Sequence, residues 1–473
     1  MERGTLLTKI LDSLLFLSNT RKADTVTSAP PTWLTSIVSR RALASSALIT
    51  ITAALSAQPL TINLKDALAR ARQYGGQIES ANIATQLASE DHKQAVAASL
   101  PSVNLFNQYI YTEGNGTPSG TFVANDGVHV YNEQLQAHEE LLAFTRRGEI
   151  RVAKAAEAVQ QARADVALRG LNATVIQDYY VIAASEERLA NARKSLAEAQ
   201  EFLDITQKQE KGGEVAHADV IKAQLQQQQR QRDTQEAQFA VDKAKTALGV
   251  LIFPALPQNY EILDDLAQLP PLASLDEFSA SGSANSADLR VAQATLKQAS
   301  LSVNVARYAY LPSLGLDVFY GIDANKFAAR NSWIEPTLLY PYRQNLGYVA
   351  QATLTVPVWN WGAIHSRVKQ ASLREQQAKI DLTLTQKQLA ASLANFYEEA
   401  KIAIAQVESL RSSAELAAES LRLTLLRYKA GEATALEVVD AQTTVSQSRN
   451  AYDDGLLRYR AAFSNLQALT GNF

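Results

Sequence analysis

Residues 310–322 read Tyr-Leu-Pro-Ser-Leu-Gly-Leu-Asp-Val-Phe-Tyr-Gly-Ile. The Leu-Pro-Ser step marks a change of period. After Pro312, Leu314, Leu316, Val318, Tyr320 and Ile322 alternate with Gly315, Asp317, Phe319 and Gly321. Proline stops a helix and a period of two follows, which predicts a strand over about 313–323. The same switch stands 211 residues earlier, at Ser99-Leu100-Pro101-Ser102. There Val103, Leu105, Tyr109 and Tyr111 share one face, predicting a strand over about 102–112. A return strand over 346–358 alternates Tyr348, Ala350, Ala352, Leu354, Val356 and Val358 with Val349, Gln351, Thr353 and Thr355. Its counterpart over 128–142 is the weakest of the four, with a polar face of Asn132, Gln134 and Gln136.

Working outward from these strands, the chain is written twice. Gly148 recurs as Gly362, and Lys211-Gly212-Gly213-Glu214 as Lys429-Ala430-Gly431-Glu432. Ala247-Leu248-Gly249 recurs as Ala468-Leu469-Thr470-Gly471. Four landmarks in one order make a duplication. The first repeat is expected over 58–250, a linker rich in Pro254, Pro257, Pro270 and Pro271 over 251–285, and the second repeat over 286–473.

Between the landmarks the period becomes seven. Ile182, Leu189, Leu196 and Leu203 form one seam, with Ala192 and Ala199 between them. Leu389, Phe396, Ala403, Leu410 and Ala417 form the other, with Leu393, Ala400, Val407, Ala414 and Leu421 interleaved. These are coiled-coil seams narrowed by alanine for close packing. Gly148 to Gly213 is 65 residues and Gly362 to Gly431 is 69, while the return legs to Leu248 and Leu469 are 35 and 38. The second hairpin is therefore expected to be about one helical turn longer on each leg. Sixty-five helical residues reach about 100 Å, more than a bilayer accounts for.

Polar-in, apolar-out segments of about ten residues suit a membrane β-barrel, though a soluble hairpin packed on the helices gives the same alternation. Four strands cannot close, and an open edge in lipid is forbidden. A barrel would need several chains, and three would supply twelve strands. Trp359 and Trp361 fit an interfacial aromatic belt, and the loops 113–127 and 324–345 would face the exterior.

The 473 residues carry 45 basic and 48 acidic side chains, without a basic footprint for nucleic acid. The absence of cysteine removes disulfides, thiolate zinc sites and cysteine nucleophiles. Only 20 glycines and 7% aromatics argue against an ordinary mixed α/β enzyme. Arg40 and Arg41 followed by the apolar run Ala42–Leu55 and Leu55-Ser56-Ala57 read as a secretory signal within a presequence, 1–57. A buried N-terminal helix is the competing reading. The mature chain is expected from Gln58, with no apolar run of spanning length.

With these residues in hand, the chain resembles the TolC-like outer-membrane efflux proteins over essentially all of the expected mature sequence. The likeness rests on the duplicated helix–strand–strand–helix layout and on Val356-Pro357-Val358-Trp359-Asn360-Trp361-Gly362 leading into a long helix. It rests also on two tip motifs, from Gly213 to Val220 and from Gly431 to Ala441. The resemblance implies a mainly helical chain with membrane strands, trimeric, with a 12-stranded barrel in the outer membrane on a periplasmic helical barrel. It implies a passive exit duct serving a periplasmic adaptor and an inner-membrane pump, with the hairpin tips closing the entrance. By motif position, Asp219, Glu437 and Asp440 would line that constriction, and Tyr428 would help hold it shut. Gly213, Glu214, Val215, Gly431, Glu432 and Ala433 would meet the adaptor. Ala433 stands where some relatives carry an arginine, so the closing contacts differ here.

The tip glycines supply the permissive backbone of a tight helix–helix turn. Carboxylates crowded there by symmetry would repel one another and draw protons or cations. The plainer reading is that Glu214, Asp219, Glu432 and Glu437 are helix-start acids favoured by the dipole; Asp440 lies beyond capping range. The five histidines, His92, His129, His138, His217 and His365, have no paired ligand spacing, and no catalytic, cofactor or metal site is expected. A coiled-coil bridging protein without a channel is the alternative, but an adaptor would carry one hairpin between compact β domains rather than two hairpins and two strand pairs.

Overall fold

The computed structural model describes residues 60–111, 129–255, 259–324 and 346–471. The expected presequence and both long inter-strand loops lie outside these residues. Two helices dominate: α3 (Phe144–Lys211, 68 residues) and α7 (Ala363–Lys429, 67 residues). Each turns into a return helix of 36 residues, α4 (His217–Ile252) and α8 (Ala435–Thr470). On the heptad seams, Ile182, Leu189, Ala199 and Leu203 are buried, as are Leu389, Leu393, Ala400, Ala403, Ala417 and Leu421. Shorter helices precede each hairpin, α1 (Leu64–Tyr74) and α2 (Gly76–Ala97) before the first, α5 (Leu275–Asn285) and α6 (Ala287–Tyr308) before the second. The order of neighbours is α2, α3, α6, α7, and α3 also packs on α8. No helix among the described residues is long and apolar enough to cross a membrane.

The near-equal hairpins correct the expectation of an extra turn in the second copy. Gly148 lies inside α3, where its missing side chain admits Val305 and Tyr308 of α6. Gly362 instead caps the start of α7 at φ +80°. On the return legs, Gly249 is helical within α4, whereas Gly471 ends α8 at φ +74°. The glycines that seemed equivalent perform different jobs, so their spacing did not measure helix length.

The strands β2 (Ser102–Tyr111), β3 (His129–Leu142), β5 (Ser313–Ala324) and β6 (Leu346–Thr355) form one antiparallel sheet in that order. β6 ends before the expected 358 because Pro357 has no N–H to donate. The register aligns Leu105, Leu135, Tyr320 and Tyr348 across all four strands, and Val103, Ala137, Val318 and Ala350 two residues away. One face is therefore largely apolar across the sheet, interrupted at the Asn107–Glu133 pair and at Glu139. The other carries Ser102, His138, Asp317 and Gln351 in one row, where His138 Nδ1 lies 2.6 Å from Asp317 Oδ1. Leu105 is 77% exposed and Tyr348 79% exposed, so the single chain leaves this face uncovered. Trp359 and Trp361 follow β6, exposed and edge-to-face at 5.7 Å.

A second, two-stranded sheet pairs β1 (Leu60–Ile62) in parallel with β4 (Tyr260–Ile262). Residues 251–285 are thus more than a linker. Tyr179 Oη donates to Leu263 O at 2.5 Å, and Tyr459 Oη to Pro270 O. The buried Arg460 donates to the carbonyls of Asp265, Leu266 and Gln268 and lies 4.6 Å from the Tyr180 ring centroid. Three side chains from α3 and α8 strap the inter-repeat segment across the helices.

Candidate functional site

The two tips are the same turn. In the first, Gly213 N–H donates to Glu210 O at 2.8 Å and Glu214 N–H to Gln209 O at 2.9 Å. In the second, Gly431 N–H donates to Tyr428 O at 3.0 Å and Glu432 N–H to Arg427 O at 2.9 Å. Both are Schellman closures, and Gly213 and Gly431 take φ +79° and +78°, the left-handed conformation that favours glycine.

Beyond the turns the tips diverge. α8 opens on a capping box in which Thr434 accepts from Glu437 N–H at 3.3 Å and Glu437 accepts from Thr434 N–H at 3.0 Å. Arg427 adds a bond to Glu437 at 3.4 Å and another to the Glu432 carbonyl at 3.1 Å. The Thr434 N–H, its hydroxyl and Arg427 hold the Glu437 carboxyl below the usual glutamate range. Within the chain, Glu437 is thus a capping acid at the start of α8. α4 has no such cap; its first-turn Asp219 pairs with Lys222 at 3.2 Å, while His217 Nδ1 meets Glu210 at 2.6 Å. The Asp440 carboxylate is exposed and makes no hydrogen bond or ion pair among the described residues.

Tyr428 is the buried member of the set, 3% exposed. Its hydroxyl donates to Thr206 Oγ1 at 3.2 Å, and its ring stands edge-on to Phe202 at 5.2 Å. Burial pushes the phenol above its ordinary range. Phe202 and Thr206 belong to α3, so this tyrosine ties the second hairpin to the first. Gln209 adds a bond to the Tyr428 carbonyl at 3.4 Å, and Lys429 pairs with Glu201 at 3.4 Å. Phe202, Val220, Ala223, Leu421, Tyr428 and Val438 share one buried cluster, which makes the two tips a single four-helix unit.

The tips enclose a cleft of about 670 Å³ lined by Glu214, Val215, Asp219, Tyr428, Gly431 and Ala433 among others. Gly213, Glu432, Glu437 and Asp440 are outside its lining. Sequence reasoning missed Arg427 and Thr206. Arg427 acts across the turn on Glu437, ten positions on, and Thr206 meets Tyr428 from 222 positions away, a separation no local pattern spans. An arginine does reach this tip, from the end of α7 rather than from position 433.

Residues 282–472, which contain α6, β5, β6, α7 and α8, match the family described as outer membrane efflux protein. The pyoverdine export outer membrane protein OpmQ of Pseudomonas putida is 28% identical over 303 residues, 62% of this chain and 59% of that protein. The cobalt-zinc-cadmium resistance protein CzcC of Cupriavidus metallidurans is 23% identical over 286 residues, 60% of this chain and 63% of that protein. The matched region thus spans less than two thirds of either relative's length. The fold is that of the Campylobacter jejuni CmeC outer membrane channel, with a TM-score of 0.73 at 16% identity over 86% of this chain and 85% of that one. The second half of the chain thus matches the outer membrane efflux protein family in sequence, and the described fold is like that of solved outer membrane channels.

Proposed function

We propose that three copies of this chain pool their sheets into a 12-stranded outer-membrane barrel, standing on a periplasmic helical barrel, and form a passive exit duct. The observation that carries this reading is the sheet. Its largely apolar face, broken by Asn107, Glu133 and Glu139, extends over four strands and is left uncovered, and among the described residues the outer edges of β2 and β6 are unpaired. In lipid the face is satisfied but the edges are not, so edge must meet edge of another copy. The opposite face, with Asn104, Gln136, His138 and Asp317, suits a water-filled lumen.

In this duct the hairpin tips form the inner entrance of a tripartite efflux or secretion system, supplied through a periplasmic adaptor by an inner-membrane pump. Asp219 and Asp440 line the constriction, Glu437 braces the second tip, and Tyr428 holds the two hairpins of one protomer together. Glu214, Val215, Glu432 and Ala433, presented by the turns at Gly213 and Gly431, meet the adaptor. Residues 58–250 and 286–473 act as two copies of one unit, exported under the signal at 40–57. The different names of the two relatives, pyoverdine export for one and cobalt-zinc-cadmium resistance for the other, support a duct whose selectivity lies in its pump.

The test is planar-bilayer conductance of the purified, detergent-solubilised protein, with its oligomer mass measured on the same sample. A trimer giving discrete, cation-favouring steps supports the pooled barrel. A monomer that never inserts refutes it and leaves a soluble bridging protein.

A further inference from the structure

α3 and α8 meet along a seam that is polar where a coiled coil ordinarily places apolar side chains. Asp453 of α8, 6% exposed, accepts from Asn191 Nδ2 of α3 at 2.7 Å. About one turn further toward the tips, Ser195 Oγ and Asn450 Oδ1 are buried without a hydrogen-bond partner. Beyond them Arg449 pairs with Glu198 at 3.1 Å, and Gln442 donates to the Glu198 carbonyl while its own Oε1 stays unpaired. Buried polar atoms without partners cost free energy, so this contact is held less firmly than an apolar seam would be.

The charges around Asp453 do not compensate it. From α3, Glu187 repels it and Arg188 attracts it, but Arg188 is bonded to the neighbouring Asp454, which repels it too. From α7, Leu410 packs at Gly455, and the charged groups at that level, Glu408 and Arg411, pair with each other at 2.9 Å. From α4, Lys245 pairs with Glu186, while Arg230 lies further toward the tips, at Thr443, and pairs with Asp233. Burial first, then the two acids, push the Asp453 carboxyl up to about 7.

We propose that Asp453 is a proton-operated clasp between the two hairpins of each protomer: neutral, it holds α3 against α8, and ionised, it loosens the seam so that the hairpins can shear. The sign follows from linkage. A carboxyl raised in the folded state binds its proton there at pH values where the unfolded chain has released it. Its stabilisation is therefore present at low pH and is lost as pH rises through about 7. The seam's chemistry stands on these residues alone; its consequence for the tips rests on the duct reading.

Hydrogen exchange of the purified protein in detergent, corrected for intrinsic rates, tests the clasp. Peptides covering 185–199 and 447–457 are compared at pH 6 and pH 8. The wild type is expected to open the seam roughly tenfold more readily at pH 8, one unit above the midpoint. Asp453→Asn keeps a neutral side chain of the same shape and is expected to exchange slowly at both values. Glu187→Gln, at an exposed position, removes one repelling charge and is expected to move the transition to lower pH. It keeps the test available if the Asp453 variant fails to assemble. Unaltered pH dependence in Asp453→Asn, or an unmoved midpoint in Glu187→Gln, overturns the proposal. A pH-responsive seam in a protein that never conducts overturns the duct and leaves the clasp; a conducting trimer with a pH-insensitive seam overturns the clasp alone.

Discussion

Replacing Tyr428 by phenylalanine removes one hydroxyl from the tie between the hairpins and leaves the ring in its place. The lost bond, from Tyr428 Oη to Thr206 Oγ1 at 3.2 Å, is buried. Thr206 keeps its own donation to Phe202 O at 2.8 Å, so no donor is stranded. The expected cost is that of one ordinary buried hydrogen bond, about 1 kcal/mol, or about fivefold in the equilibrium for opening the tips. Tyr428→Ala also removes a ring packed edge-on to Phe202, and its expected cost rises to about 3–5 kcal/mol. Hydrogen exchange over 200–211 and 424–433 reads both values as local opening. Thr206→Val closes a double-mutant cycle in which the Tyr428→Phe effect should vanish, giving a coupling of about 1 kcal/mol. Equal effects of Tyr428→Phe in the two backgrounds would refute the tie, because the hydroxyl would then act through some other group.

Four further outcomes follow from the same geometry. Gly431→Ala forces a β-carbon into a backbone at φ +78° and should loosen the second tip by about 1–2 kcal/mol in the same exchange experiment, with Gly213→Ala acting alike on the first. The Glu437 carboxylate holds its capping bonds when ionised, and its lowered pKa means that this support is present above the usual glutamate range and lost as pH falls through the folded value. Exchange at residues 434–438 should accelerate on acidification in the wild type and not in Glu437→Gln. Val318→Arg, on the apolar face, should cost up to about 2–4 kcal/mol of membrane stability, measured by urea unfolding in vesicles, while Gln136→Arg on the polar face should be tolerated. Asp219→Ala combined with Asp440→Ala should raise basal conductance and antibiotic uptake; unchanged values would remove both acids from the constriction.

The parts of this fold that were legible were those written in local period. Leu314 to Ile322 announced a strand because alternation needs no partner to be seen, and the tip glycines because left-handed backbone has so few occupants. Long-range partnerships left no such trace. β1 and β4 have three residues each, too few to show a period, and pair across some two hundred positions. Arg460 looks in sequence like any helical arginine, and only the fold brings three carbonyls of the inter-repeat segment to it. The misjudged hairpin lengths have a similar cause. A glycine in the sequence does not say whether it admits a neighbour, as Gly148 does, or turns the backbone, as Gly362 does. At the tips, the acids were visible but their tasks were not, since capping and repulsion call for the same residue types in the same place.

The order β2-β3-β5-β6 sets a timetable for assembly. β3 finds β2 at once across a local loop, but its other neighbour, β5, comes from the far half of the chain. Until residue 313 has emerged, β3 offers a free edge, and the strands of the first repeat are a two-stranded ribbon, marginal by itself. The helices of that repeat suffer no such delay, since α3 and α4 meet across a short turn and β4 arrives soon afterward to catch β1. The first hairpin can therefore close on itself before its strands find their second neighbour, and a product truncated before residue 313 keeps a helix pair beside an unfinished sheet.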